Sequence, residues 1–278
     1  MTTIPDFEAC YRHPREITGV RCQRCGKPIC ADCMLPASVG FQCPACAGGP
    51  LGRGGQLPRR PRTTVGARLG SDFPIATTVI VVAMVVLSLA NLVTSLPAQL
   101  LAFFNAPGAL SQPWRPVTYL LLQDFPWGLL VSGFMLFLVG RVLEPLFGRW
   151  RFIAVYALAG LGGAAILSLF GPIGSGWYGG YIGALGMIAA NAMAKLKSRQ
   201  DIRPDLLMLA LLVGVNVVLN WRSMAWLGMI GGLIGAGVAT LIIVFAPRDR
   251  RTLVQLGGLV GLAVIFLVGI ALGPALRS

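Results

Sequence analysis

The chain has 278 residues, of which 55% are hydrophobic and only 12% are charged, and its mean hydropathy is +0.74. This composition excludes an ordinary water-soluble protein, because soluble domains carry about twice that share of charged residues. The formal net charge is +13, but the basic residues flank apolar stretches, a pattern typical of membrane topology rather than of nucleic-acid binding.

All seven cysteines and the only histidine lie within the first 46 residues. They form four pairs with two residues between the members: Cys10 and His13, Cys22 and Cys25, Cys30 and Cys33, Cys43 and Cys46. This spacing lets both side chains of a pair reach one metal ion from a tight turn, so eight ligands predict two tetrahedral zinc sites. A disulfide framework is the alternative, but it would leave one of the seven cysteines unpaired. With all ligand positions filled, neither ion keeps an open site for water, and we expect both to be structural.

The same spacing resembles B-box and RING-like zinc fingers, in which the first and third pairs share one ion. The resemblance implies that Cys10, His13, Cys30 and Cys33 hold one zinc and that Cys22, Cys25, Cys43 and Cys46 hold the other. The first nine residues have no apolar segment of the kind found in secretory signals, so we expect this finger, residues 1–47, to remain in the cytoplasm. We expect it to bind a partner there, which the sequence does not identify.

Residues 48–71 are rich in glycine, proline and arginine and have no periodic apolar pattern, which predicts a flexible linker. Its arginines are Arg53, Arg59, Arg60, Arg62 and Arg68. Because they lie just before an apolar stretch, anionic lipid headgroups are their expected partners, and nucleic acid is not.

Residues 72–278 contain the apolar stretches that predict transmembrane helices, and the fourth and fifth are short. The predicted spans are 75–93, 128–147, 152–171, 179–194, 205–220, 225–246 and 252–273. Basic residues follow the second, fourth and sixth spans, whereas the opposite loops carry only Arg115 and Arg222. This asymmetry predicts a multi-pass plasma-membrane protein with a cytoplasmic N-terminus and an external C-terminus.

Two further patterns concern contacts between the spans. Glycines recur at four-residue spacing on the fourth and sixth spans, which predicts close packing of these two helices. Arg141 and Glu144 lie three residues apart near the inner end of the second span, where we expect them to be structural and to pair with each other.

The loop sequence QPWRPVTYLLL, with Trp114, Arg115 and Pro116, and the segment GRVLE that begins at Gly140 resemble motifs of the rhomboid family of intramembrane serine proteases. The resemblance covers roughly residues 70 to 246, and a cysteine-rich finger ahead of the membrane core is similar to actinobacterial-type members. It implies an all-α membrane protein with a six-helix bundle. A seventh C-terminal helix and a small N-terminal zinc-binding domain complete the expected fold.

Rhomboid proteases use a serine at the start of the fourth span and a histidine on the sixth as general base. The glycine pattern places Tyr178 at the serine position and Met229 at the histidine position. The family's histidine and asparagine that stabilise the oxyanion correspond to Gly128 and Ser132. The only histidine in the chain is His13, so no histidine can activate a serine in the membrane.

The leading interpretation is therefore a catalytically inactive rhomboid homologue that binds transmembrane segments of client proteins. The alternative is an active protease with an unrecognised arrangement that uses Ser132 or Ser175. A serine-lysine dyad is excluded, because Lys195 and Lys197 lie about 25 Å along the helix from Tyr178 at the serine position. A membrane transporter ranks last, because the spans contain few ionisable groups.

Overall fold

The computed structural model describes residues 7–37, 39–47, 63, 74–123, 126–219, 221–247 and 249–277. The chain divides into two compact units, residues 1–61 and 62–278. Apart from Thr63, the predicted linker at 48–71 lies outside the described residues, and its limits and lipid contacts stay predictions.

The first unit contains two short antiparallel hairpins. Strand β1 (Glu8–Ala9) pairs with β2 (Ile17–Thr18), and β3 (Leu35–Pro36) pairs with β4 (Phe41–Gln42). A 3-10 turn at Ala31–Cys33 lies between the hairpins. The core consists of the fully buried Ile29 and five buried cysteines. This apolar surface is too small to stabilise a fold without cross-links such as disulfides or bound metal ions.

The second unit is helical. In chain order its helices are α1 (Ile75–Val93), α2 (Leu96–Leu101), α3 (Arg115–Thr118), α4 (Pro126–Phe147), α5 (Arg149–Phe170), α6 (Gly180–Lys197), α7 (Arg203–Leu219), α8 (Ala225–Phe245) and α9 (Arg251–Ala275). Strands β5 (Phe103–Phe104) and β6 (Gly176–Trp177) form one antiparallel pair, and 3-10 turns lie at Ala109–Ser111 and Tyr119–Leu121.

Each of the seven predicted spans is a helix in this structure. Helices α1, α4, α5, α8 and α9 are long and apolar enough to cross a membrane. Helices α6 and α7, the two spans expected to be short, have 18 and 17 described residues, and neither combines the required length with the required hydropathy. Protein covers much of α6, since eleven of its residues are buried. Its glycine- and alanine-rich surface is therefore shielded from lipid by its neighbours.

Helices α5 and α8 form the centre of the bundle. In their most apolar 18-residue windows, 67% of α5 and 61% of α8 is buried, compared with 17% of α1 and 22% of α9. The predicted contact between the fourth and sixth spans is present, because Gly228 and Gly232 of α8 leave room for Ile182 of α6. The backbones of α5 and α8 also approach closely, because a Cβ atom on Gly231 would overlap the carbonyl oxygen of Gly162.

The glycines of α6 do not all face α8 as their spacing suggested. Gly183 packs against the ring of Tyr156, and Gly179, just before the helix, packs against the ring of Tyr119. These glycines make space for Tyr156 of α5 and for Tyr119, which lies in the 3-10 turn before α4. Glycines at the same four-residue spacing therefore contact different neighbours.

Glu144 does not pair with Arg141, which corrects the expectation from the sequence. Its carboxylate accepts the backbone N–H groups of Ala76 and Thr77, at 2.9 and 2.8 Å, and the Thr77 hydroxyl at 2.8 Å. Arg141 instead lies over the ring of Phe137, 5.9 Å from its centroid. The carboxylate thus binds N–H groups at the start of α1 that have no partner within the helix.

Candidate functional site

The eight cysteine and histidine side chains of the first unit form two groups of four. One group is Cys10, His13, Cys30 and Cys33, and the other is Cys22, Cys25, Cys43 and Cys46. Within each group the donor atoms lie within 4.8 Å of one another. This is the grouping that the zinc-finger resemblance implied, and each group can hold one metal ion.

Tight turns direct the two side chains of each pair to the same side. In three pairs the N–H of the second residue donates to the carbonyl of the first, at 3.2 Å in Cys10–His13, 2.9 Å in Cys30–Cys33 and 3.0 Å in Cys43–Cys46. After Cys22 the turn closes at Gly26, whose N–H donates to the Cys22 carbonyl at 2.8 Å. Gly26 has a φ of +70°, a left-handed conformation that favours glycine.

The distances between donor atoms fit tetrahedral coordination. His13 Nδ1 lies 3.2 Å from Cys30 Sγ and 3.5 Å from Cys33 Sγ, and Cys25 Sγ lies 3.6 Å from Cys43 Sγ. Tetrahedral zinc with Zn–S bonds of about 2.3 Å separates its sulfur ligands by about 3.8 Å. All seven cysteines are free thiols, so none of these contacts is a disulfide.

Crowding of the thiols perturbs their acidity in both groups. Burial raises the pKa of Cys10, but hydrogen bonds from the backbone of Arg12, Cys30 and His13 outweigh it and lower the value to about 6. Burial, followed by hydrogen bonds with Cys10 and Cys30, raises the pKa of Cys33 to about 12. A bound cation would stabilise the thiolate form of all these ligands, as metal coordination requires.

The second group, Cys22, Cys25, Cys43 and Cys46, also contains one thiol whose pKa is lowered and one whose pKa is raised. Burial raises the pKa of Cys22, and backbone hydrogen bonds led by that of Cys43 outweigh it and lower the value to about 6. Hydrogen bonds with the thiols of Cys43 and Cys25 raise the pKa of Cys46 to about 12. Both groups therefore have the donor chemistry of a metal site.

In the membrane unit, Trp114 and Arg115 form hydrogen bonds within the segment that connects α1 to α4. The Trp114 indole N–H donates to the Leu100 carbonyl at 3.1 Å. The Arg115 guanidinium donates to the carbonyl of Ala102 at 2.7 Å and to that of Gln99. The Trp-Arg motif thus satisfies carbonyl groups at the end of α2, and its residues are structural in this loop.

The same connecting segment also pairs with the residues that precede α6. Strand β5 pairs with β6, and the backbone N–H of Asn105 donates to the Ser175 carbonyl at 3.0 Å. The buried Asn105 side-chain amide donates to the carbonyls of Leu167 and Gly171 at 3.2 and 3.1 Å. Ser175 is therefore part of a paired backbone segment that leads into Tyr178.

Tyr178 is half-buried and lies two residues before α6, whereas Met229 is fully buried in the second turn of α8. The segment around Tyr178 contacts the start of α8, because Trp177 Nε1 donates to the Ser223 carbonyl at 3.5 Å and the Tyr181 hydroxyl donates to that of Ala225 at 3.3 Å. The structure thus brings the Tyr178 segment to the helix that carries Met229.

Gly128 and Ser132 lie one turn apart on α4, and Ser132 is buried. Sequence reasoning did not find Gln123, which lies beside Gly128: a Cβ atom on Gly128 would be 3.4 Å from the Gln123 Oε1. A Cβ atom on Gly180 would be 2.6 Å from the Gln123 Nε2. Gln123 is 7% exposed, and its Nε2 has no hydrogen-bond partner among the described residues. Its side chain lies between the start of α6 and α4.

Tyr119 was also missed by sequence reasoning. It is fully buried, its hydroxyl donates to the Gly160 carbonyl of α5 at 3.0 Å, and its ring packs against Gly179. The only signal in the sequence is its place four residues after Arg115, since the apolar run around it gives no reason to expect a buried hydroxyl.

A comparison with protein families matches residues 110–247 to the rhomboid domain. The match extends from the loop fastened by Arg115 to the end of α8 and includes the segments of Tyr178, Met229, Gly128 and Ser132. The membrane unit belongs to the rhomboid family. Among curated proteins, the chain has no match.

Helix α9 follows the matched rhomboid domain and packs along α5. At one end, the buried Arg151 donates through Nε to Gln255 Oε1 at 2.9 Å, and Gln255 Nε2 donates to the Ile243 carbonyl at 2.8 Å. At the other end, Gly273 lies against the Ser168 carbonyl, where a side chain would overlap it. The seventh helix is therefore joined to the rhomboid domain by buried polar contacts and close packing.

Proposed function

We propose that this rhomboid-family membrane protein is catalytically inactive and binds the transmembrane segments of client proteins. The observation that carries the proposal is the position of the only histidine in the chain, His13, which lies in a metal-binding group of the finger. The rhomboid domain consequently has no imidazole to act as a general base.

The residues at the family's catalytic positions support a packing role. Met229, at the histidine position, is fully buried, and a methionine suits an irregular apolar gap. Tyr178, at the serine position, is a phenol, which needs a nearby base or cation to become a nucleophile. At the oxyanion positions, Gly128 has no donor side chain, and Ser132 offers one hydroxyl.

The two lysines of α6 are engaged elsewhere. Lys195 Nζ lies 2.7 Å from the Asp205 carboxylate, and Lys197 donates to the Val244 carbonyl. Both lie in the last turn of α6, at the opposite end of the helix from Tyr178. These contacts argue against a serine-lysine dyad.

Two features support binding of a client helix. One face of α7 is apolar and exposed, with 66% of Leu211 and 71% of Leu207 accessible, and the only fully buried side chain of α7 among the described residues is the polar Asp205. Gln123 Nε2, a buried donor beside the start of α6, can bind a peptide carbonyl that reaches this site. A second helix packed along α7 would cover an apolar surface that the rhomboid domain leaves open.

For the finger we propose two structural zinc ions, each held by one of the two groups of four ligands. Thiolate and imidazole ligands at tetrahedral spacing favour zinc, and its role would be to stabilise the finger. Ile17, which is 73% exposed on β2, supports a contact with a further protein, which we place in the cytoplasm. This placement follows from the proposed topology in the plasma membrane, with a cytoplasmic N-terminus and an external C-terminus.

The direct test is cleavage of a single-span rhomboid substrate by the purified protein in liposomes. We expect no cleavage products from the natural protein and recovery of intact substrate bound to it. The Tyr178→Ser, Met229→His double variant tests whether the site geometry is retained. The Tyr178→Phe, Met229→Leu variant is the matched control, because it changes the same two positions without adding a nucleophile or a base.

Activity in the Ser–His variant alone would support a retained site that lacks only its catalytic groups. Cleavage by the natural protein, lost on Ser132→Ala or Ser175→Ala substitution, would overturn the proposal and show an active protease. Intact substrate that does not remain with the natural protein would contradict the client-binding role.

A further inference from the structure

A cavity lined by three basic side chains lies at the end of the bundle where α6 stops and α8 connects to α9. Its volume is about 770 Å³. Residues of α4, the last turns of α6, residues 244–247 and the start of α9 line it. Every wall belongs to the membrane unit, and no residue of the proposed catalytic positions contributes.

One side of this cavity is basic. Lys195, Lys197 and Arg251 line it, and only Lys195 is neutralised, by Asp205 at 2.7 Å. Neither Lys197 nor Arg251 forms an ion pair with any described residue. The Arg251 Nε is buried and has no hydrogen-bond partner among the described residues. Lys197 donates one hydrogen bond to the Val244 carbonyl, but no carboxylate neutralises its charge among the described residues. Two unpaired positive charges and the unpartnered Arg251 Nε therefore line a space large enough for a ligand.

The cavity also has an apolar wall, part of which is exposed. Val142 of α4 is 59% exposed and Phe245 of α8 is 61% exposed, and both helices are candidate membrane spans. Leu146 and Val244 continue this wall inward. Lys197 lies over the Phe245 ring, 5.5 Å from its centroid, so the charged and apolar sides meet at this pair.

We propose that this cavity binds an anionic glycerophospholipid. Lys197 and Arg251 would bind the phosphate, since charge-assisted hydrogen bonds to phosphate are strong and basic pockets between transmembrane helices bind lipid headgroups. The start of an acyl chain would lie along Val142 and Phe245. A soluble phosphate ester has the same headgroup chemistry, but it would leave the apolar wall uncovered, so the wall favours a lipid.

The site would also give the connection between α8 and α9 a function. Arg251 is the first residue of α9, the helix that follows the matched rhomboid domain, and Lys197 is the last residue of α6. A phosphate bound by both would join the added helix to the rhomboid domain. This inference is independent of whether the protein cleaves substrates.

The experiment measures lipid retained by the detergent-purified protein, by native mass spectrometry, after incubation with phosphatidylglycerol or with phosphatidylcholine. We expect phosphatidylglycerol to be retained preferentially. The Lys197→Gln, Arg251→Gln variant should lose this preference by roughly tenfold or more. The matched control is Arg203→Gln, which removes an exposed positive charge near the same end of α6 but outside the cavity.

A second variant, Val142→Trp, blocks the apolar side without changing a charge and should also reduce phosphatidylglycerol retention. Thermal unfolding in detergent identifies any variant that has lost its fold, and the other variant then decides. Equal loss in the Arg203→Gln control would mean general attraction between basic protein and anionic lipid and would overturn the proposal. Competition by soluble glycerol phosphate as strong as that by the lipid, unaffected by Val142→Trp, would overturn the lipid assignment.

Discussion

At the scale of single residues, Glu144 and Gly140 of the GRVLE segment both contact the start of α1. Glu144 is 4% exposed and accepts three hydrogen bonds from the start of α1. One turn earlier, Gly140 lets Thr77 approach the α4 backbone, where any side chain would overlap it. A buried carboxylate within a membrane helix is therefore matched by donors that would otherwise have no partner.

The Glu144→Ala substitution should destabilise the protein by about 3 kcal/mol, because it leaves several buried donors without an acceptor. The control is Arg141→Ala, three residues earlier on the same helix, where the lost contact is an exposed cation–π pair with Phe137. Thermal unfolding in detergent measures both. Equal losses of stability in the two variants would contradict the capping role of Glu144.

At the scale of secondary-structure elements, the packing of α8 depends on which glycine faces which helix. Gly231 and Gly235 lie against backbone carbonyls of α5, whereas Gly237 on the same helix has open space around its Cβ position. Small residues let these backbones approach closely, which is how transmembrane helices gain van der Waals contact.

The substitution Gly231→Ala should therefore destabilise the protein by about 2 kcal/mol, because the new methyl group forces α5 and α8 apart. Gly237→Ala should be neutral or stabilise by up to about 1 kcal/mol, since alanine is the better helix former. Unfolding by denaturing detergent compares the two variants directly. A neutral Gly231→Ala would show that α5 and α8 can separate at this contact without loss of stability.

At the scale of the whole molecule, the two units are stabilised by different means. The membrane unit has an extended buried core, whereas the finger has one fully buried aliphatic residue, Ile29, among its ligands. A metal ion bound by each group should therefore supply most of the folding free energy of the finger and none of that of the rhomboid domain.

Treatment with a strong zinc chelator should unfold the finger and leave the membrane unit folded. All six tryptophans lie between residues 114 and 226, so their fluorescence reports only the membrane unit and should not change. Trypsin should then cut at Arg21 and Lys27, which we expect the metal-bound finger to protect. The protein should release two zinc ions per chain, and added zinc should restore protection.

Release of fewer than two ions, or trypsin protection that survives the chelator, would contradict two structural sites. A change in tryptophan fluorescence that zinc reverses would contradict the separate stabilisation of the two units.

The sequence determined the membrane class, the seven helices and the four ligand pairs, because these follow from local patterns. Apolar runs of span length and ligands two residues apart are readable without knowing what lies beside them. The Trp-Arg loop and the glycine pattern around Tyr178 were sufficient to indicate the rhomboid family, which the match over residues 110–247 confirmed.

Only the tertiary structure decided which side chains meet across the bundle. The partner of Glu144 lies 67 to 68 positions away in the chain, on α1, and the nearest charged residue in the sequence, Arg141, was the wrong choice. Gln123 and Tyr119 lie in a loop whose apolar sequence gives no sign that their polar groups are buried. Glycine spacing marks a close contact but not the neighbour, because the neighbour depends on how α5, α6 and α8 pack together.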